Sequence, residues 1–255
     1  MSDFAARDIF EARIQQAIGD LQQRQLDRLM VAMGTPPRLG NVPSSLWTEF
    51  KHEMTDLVTP MLRDVYNASA IQFAHGLPVG VDWNQVNERA ASWAEKHAGV
   101  LIKKVDRHSL DVVRQTVPQY FRQDWTMDDL RAKLTSTFGP VRGGMIATSE
   151  VTTAAAEGEL GIVREIKAEN PGIVMVGIWN TNNDAIVRKC ETCWPLHNVR
   201  ANKQGWFIHP QTGMAYRRPG AHTRCRCWLN HEIVNLDQAS ARDFGVSSVE
   251  RSAER

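Results

Sequence analysis

Apolar residues recur every third or fourth position along four long stretches of the first 170 residues, then give way to short, nearly continuous runs. Between Ser2 and Met33, Phe10, Ile14, Ile18, Leu21 and Leu29 stand among Gln, Arg and Asp, the pattern of an amphipathic helix with one face to cover. The stretch Gly34 to Ser44, with Pro36, Pro37, Gly40 and Pro43, interrupts it. A second helix is predicted from Ser44 or Ser45, carrying Trp47, Phe50, Met54, Leu57, Met61 and Val65, with a kink expected at Pro60. Gly76, Pro78 and Gly80 mark a turn before a third helix from about Asp82, with Val86, Trp93, Leu101 and Val105 on its inner side and a bent continuation toward Val117. Thr126, with Asp129 three positions on, reads as the N-cap and acidic N3 of a short helix through Leu134 that Gly139-Pro140 ends. A helix rich in Ala, Glu and Thr follows, from about Val141 to Glu169.

The texture then changes. Ile173 to Trp179 is short, β-branched and bounded by Pro171-Gly172, which predicts a buried strand. Trp206 to Ile208 and Met214 to Tyr216, either side of a loop with Pro210 and Gly213, predict a hairpin, and Cys227 to Val234 supplies a further strand. The tail from about Asp237 is polar and expected to fray. The predicted class is therefore α+β: a long-helix N-terminal bundle followed by a small Cys-rich module built on a mixed sheet. A chain of 255 residues leads us to expect two domains, divided as 1-140 and 141-236, with 237-255 as tail. The apolar stripes of the long helices suit either a docking partner or closure of one bundle.

Composition narrows the classes. With 42% hydrophobic and 23% charged residues the chain is neither a disordered segment nor a disulfide-dense mini-scaffold. A net charge of +1 argues against coating nucleic acid or an anionic membrane along the whole length. The charge is uneven, however: Arg188, Lys189, Arg200, Lys203, Arg217, Arg218, Arg224 and Arg226 face the single acid Glu191 between Val187 and Cys227. No secretory signal and no run approaching a membrane span is read, so the chain is expected in the cytoplasm and without membrane contact. In that reducing compartment the four cysteines read as metal ligands or plain buried thiols ahead of disulfides.

Cys190 and Cys193 form a Cys-x-x-Cys pair, and His222-x-x-Cys225-x-Cys227 follows some thirty residues later. A tetrahedral zinc ion takes four thiolate or imidazole ligands, and two such separated pairs can close around one ion that holds a module with little apolar core. Cys190, Cys193, Cys225, Cys227 and His222 are five candidates for four places, so at least one of the last three is not bound. The alternatives are cysteines acting as small buried hydrophobes, or disulfides formed after lysis. His197 and His209 are further candidate ligands, although a lone His is more often a hydrogen-bonded structural residue.

These residues also carry a resemblance. Met145 to Glu150 is similar to the "IARTE" helix of the phage Mu protein F-like head morphogenesis proteins. Trp179-Asn180-Thr181, Asp184, Val187-Arg188 and Cys190-x-x-Cys193 resemble that family's "W-x-T-x-x-D-x-x-x-R-x-x-C-x-x-C" run, and Pro219 to Cys227 its closing "PPxHPxCRC". The likeness covers about Leu110 to Leu229, and 141-236 is its F-like module. Ser149 stands where the family often has Thr, Gly220 replaces the second Pro and Thr223 the Pro after His222.

The resemblance implies a minor capsid protein of a phage or prophage. It would act in head assembly at or near the portal, with the portal protein and major capsid or scaffolding proteins as partners. Packaged double-stranded DNA would lie within reach of the basic module. The implied location is the capsid interior, and the host cytoplasm during assembly. With 28 residues after Cys227, the bare structural form is expected. No enzymatic activity is expected. The rival reading is a zinc-knuckle nuclease using His197 or His209 on DNA, against which Pro195, Leu196 and Val199 supply no acid beside His197. Nor is there a nucleophile elbow or a Gly-rich phosphate loop, and Glu150 reads as a structural carboxylate paired with Arg142 or Arg188.

Overall fold

A computed structural model describes residues 4–77, 80–182 and 187–234. Four long helices, α1 (Arg7–Met33), α2 (Ser44–Ala74), α3 (Trp83–Arg122) and α5 (Pro140–Glu169), with the short α4 (Met127–Thr135), precede a strand module of β1 (Val174–Asn180), β2 (Phe207–Ile208), β3 (Ala215–Tyr216) and β4 (Trp228–Val234). The fold is α+β. Pro60 and Pro118 lie inside α2 and α3 without ending them, so α3 runs past Val117 to Arg122. Asp184 and the tail from residue 235 lie outside the described residues.

Two compact units emerge, and neither is a continuous stretch. A helical unit comprises Asp8–Arg63 and Ala91–Ala147; a cysteine unit comprises Met1–Arg7, Asp64–Ala90 and Thr148–Arg255. Helix α5 starts at Pro140, whereas the division of the units runs within α2, α3 and α5 themselves. Periodicity reports which face of a helix is covered and says nothing about which neighbour covers each end of it.

In the helical unit Leu26, Leu29, Met33, Phe50, Val113, Leu130 and Leu134 belong to one buried cluster. Full burial of each such side chain contributes about 1.5–3 kcal/mol. The stripe residues Ile14, Ile18, Leu21 and Met54 are also buried, so closure of the unit accounts for them where a docking face had been an alternative. The α4 cap is the predicted one: the Asp129 amide donates to Thr126 Oγ1 at 3.1 Å, and the Thr126 amide donates to Asp129 Oδ2 at 2.9 Å. Arg142 is buried and donates to Ser109 Oγ and to the carbonyls of Thr137 and Val105, in place of the expected carboxylate.

In the cysteine unit α5 is covered almost all round, which explains its small residues: Val151, Thr152, Thr153, Ala154, Ala155, Ala156, Ile162 and Ile166 are all buried. Gly158 and Gly161 allow α2 to approach, since a Cβ at either would lie 2.3 Å from the Tyr66 carbonyl oxygen or 2.0 Å from its hydroxyl. The strands form two two-stranded sheets, β1 with β4 and β2 with β3, both antiparallel. This corrects the expected single mixed sheet. The β2–β3 hairpin closes on itself and packs by side chains, Phe207 and Tyr216 meeting the fully buried Trp179 edge to face at 5.4 and 6.1 Å.

Candidate metal centre

Two backbone turns present the cysteines. The first follows a one-turn helix at Val187–Lys189: the Trp194 amide donates to the Cys190 carbonyl at 3.0 Å and the Cys193 amide donates to Cys190 Sγ at 3.3 Å. The spacing of two residues lets one short turn aim both sulfurs at one point. The second turn carries His222 to Cys227 into β4, with the Cys225 amide on the His222 carbonyl at 3.2 Å and Arg224 at φ 63.

The turns bring all five expected residues together. Cys190, Cys193 and His222 form one group, and Cys193, Cys225 and Cys227 a second, each with its ligand atoms within 4.8 Å of one another. Cys193 belongs to both. His222 Nε2 lies 3.3 Å from Cys190 Sγ and 2.8 Å from Cys193 Sγ, and Cys193 Sγ lies 3.8 Å from Cys225 Sγ. For zinc–sulfur bonds of ~2.3 Å a tetrahedral angle sets neighbouring sulfurs about 3.8 Å apart. All four cysteines are free thiols, so the disulfide alternative does not describe this arrangement. The cluster can hold a metal ion.

His222 is set up as a ligand by its far nitrogen. Nδ1 lies 2.7 Å from the Thr223 carbonyl, which only accepts, so Nδ1 carries the proton and Nε2 presents its lone pair to the sulfurs. A backbone carbonyl makes this bond, so it does not depend on the side chain at 223.

Cys225 is the sulfur best supplied with donors. Hydrogen bonds from the Cys193 and Cys227 thiols, and amides of Cys227 and Gly220, pull its thiol far below the ordinary range; the Gly220 N–H is 3.4 Å away. The same bonds raise Cys193, whose bond to Cys225 is the largest influence. Cys227 is pulled down by Cys193 and up by Cys225, and burial tips it upward. Its other polar neighbour is the indole N–H of Trp179, a buried donor with no oxygen or nitrogen acceptor.

Position 220 has no room for a side chain or for a proline ring. Its φ is +98, which a proline ring cannot adopt, a Cβ there would meet Thr153 Oγ1 at 2.3 Å, and a proline would have no N–H for Cys225.

Helix α5 holds this turn from behind, and sequence reasoning missed its part. Thr152 Oγ1 donates to the Cys225 carbonyl at 2.5 Å and accepts from the buried Arg7 guanidinium at 2.7 Å. Ser149 Oγ accepts from the Arg224 amide at 2.9 Å. Arg218 donates to Glu157 at 2.7 Å; burial pushes that carboxyl up, and Arg218 with Arg164 more than offsets it. The available signal was Thr152-Thr153 in an alanine-rich helix, where buried hydroxyls need partners. Nothing in the sequence marked Arg7.

His197 and His209 stand apart from the cluster. His209 Nε2 donates to the Glu191 carbonyl at 2.9 Å while Nδ1 accepts the Gln211 and Thr212 amides, both at 3.2 Å. Every site on that ring is used, and it ties the hairpin to the Cys-x-x-Cys turn. His197 Nδ1 accepts the Thr181 amide at 3.3 Å, with its hydroxyl at 3.1 Å, and the ring stacks on Trp194. Arg188, Lys189, Lys203, Arg217, Arg224 and Arg226 are exposed. Arg200 pairs with Glu232 and Arg218 with Glu157.

No protein family, curated protein or solved structure matches the chain. Among the described residues no helix is long and apolar enough to cross a membrane.

Proposed function

We propose that this chain is a minor capsid protein of a phage or prophage, acting in head assembly at or near the portal, with the cysteine unit organised by one structural zinc ion. The observation that carries the reading is convergence. The three segments that resemble the Mu F-like family lie far apart in sequence, yet Ser149 of the first binds the turn of the third, whose His222 and Cys225 meet Cys190 and Cys193 of the second.

The ligands we assign are Cys190, Cys193, His222 and Cys225. Cys225 has amide donors suited to a bound thiolate, and His222 has the anchored imidazole of a metal ligand. Cys227, opposite the Trp179 indole, supports from below. Zinc with three thiolates and a neutral imidazole is net negative, and Arg224 and Arg226 flank Cys225 in the chain. The six exposed cations suit phosphate contacts with packaged DNA. The test is to express the tagged chain with its neighbouring head genes and purify particles: co-purification with the portal protein in head-sized particles is expected, and a chain that never enters particles or binds the portal protein contradicts the reading.

A further inference from the structure

The second edge of β1 is only partly used. One edge pairs with β4 along the whole strand, from Val174↔Val234 to Asn180↔Trp228. On the other, the Trp179 amide donates to the Val199 carbonyl, the Asn198 amide to the Trp179 carbonyl and the Ala201 amide to the Gly177 carbonyl. Main-chain groups of successive strand residues point to opposite edges, so Met175, Gly177 and Trp179 all address this second edge. The pairing stops at Gly177 because the chain turns away after Ala201. Asn202 Oδ1 accepts the Gln204 and Trp206 amides, at 3.0 and 2.9 Å, and Gly205 takes φ +78. Among the described residues, the N–H and C=O of Met175 and the N–H of Gly177 have no partner on this edge.

Where a third strand would continue there is a cavity of about 380 Å³. Val163 of α5, Met175 and Phe207 form apolar wall, Lys167 and Lys203 stand on its rim, and among the described residues no carboxylate lines it. His231, also on the wall, has a buried Nδ1 with no partner among the described residues and is held neutral, its pKa pushed down to about 3 by burial and then by Lys167. An unpaired strand edge beside an apolar pocket is the geometry that accepts an added strand: main-chain bonds give affinity and alternate side chains enter the pocket.

We propose that this cavity is a docking site for an extended peptide segment of a partner protein, which adds as a strand along Met175–Gly177, places an apolar side chain in the cavity and sets a carboxylate against Lys167 and Lys203. The site is distinct from the cysteine cluster and does not depend on the metal assignment.

The test titrates the full chain with two acetylated, amidated pentapeptides, valines alternating with threonine and glutamate or with threonine and lysine, and with octanoate as a small apolar anion. Binding is read by fluorescence polarisation and by amide hydrogen exchange. Saturable binding of the acidic peptide, at least tenfold tighter than the basic one, with slowed exchange in 174–178 is expected. Lys167→Glu, an exposed change that leaves packing alone, should reverse the preference. Met175→Pro removes the open N–H without removing a bond to β4, and should abolish binding while β4 stays protected; Lys167→Glu keeps the test decisive if Met175→Pro fails to fold. Octanoate binding without peptide binding, or peptide binding that leaves 174–178 exchange unchanged, overturns strand addition.

Discussion

Among the described residues of the helical unit, one apolar cluster has eleven buried members, drawn from α1 to α4 and the residue Phe138, all of them Leu, Met, Val or Phe. The cluster beneath the strands of the cysteine unit has nine among the described residues, of which Cys193, Cys225 and Cys227 are cysteines and Ala156 and Ala201 are alanines. The first is redundant, since many large side chains share the burial and any one contributes a modest part. The second has few large apolar groups, and the Cys/His cluster joins both turns and the start of β4. The two clusters should therefore fail differently, the helical one by degrees and the cysteine-rich segment 187–234 at once.

The largest expected effect comes from removing the joining point. Structural zinc contributes about 10–16 kcal/mol in small zinc modules. Cys193→Ala, or a strong chelator, should expose the amides of 187–234 to rapid hydrogen exchange while those of 8–63 and 91–147 keep their protection. Loss of protection in both units together would mean that the contrast is wrong.

Next comes a cut in the redundant core. Leu134→Ala, at a fully buried position, should cost about 2–5 kcal/mol. Its loss should appear in chemical denaturation of the helical unit and be the same with and without chelator.

Gly220→Ala probes the turn itself. It forces a side chain onto a φ of +98 and into Thr153, so zinc affinity should fall tenfold or more in a competition titration while Leu134 stays as protected as before. Cys227→Ser separates ligand from support: it should lower thermal stability and leave zinc bound.

The smallest effect is at the α4 cap, where Thr126→Ala should cost about 1 kcal/mol. Hydrogen bonds from the Thr126 side chain and amide hold the Asp129 carboxyl below its ordinary value. A depressed carboxylate stabilises above the ordinary value near 3.8 and loses that contribution as pH falls through the lowered one. Stability of the helical unit in acid should fall less steeply with pH in Asp129→Asn than in the parent.

Much of this was legible in the sequence, and the reasons differ by element. Helix positions followed from local spacing, and the α4 cap from Thr126 and Asp129, because each depends on neighbours within a few residues. The same holds for β1 and β4, bounded by Pro171-Gly172 and by the cysteines. The meeting of Cys190 with His222 was legible because metal chemistry restricts residue type and spacing. What stayed hidden rests on pairings between distant residues that no local period encodes: Thr152 beneath Cys225, Arg7 beneath Thr152, the interleaving of the two units, and the split of one expected sheet into two.

The central claim is that one ion joins the segments of the cysteine unit, and metal content tests it most directly. Elemental analysis of the reduced, purified chain should find one zinc per molecule, retained in Cys227→Ser and lost in Cys190→Ser, Cys193→Ser and Cys225→Ser. Zinc near zero in the parent protein, with a melting temperature that chelator does not move, would contradict it.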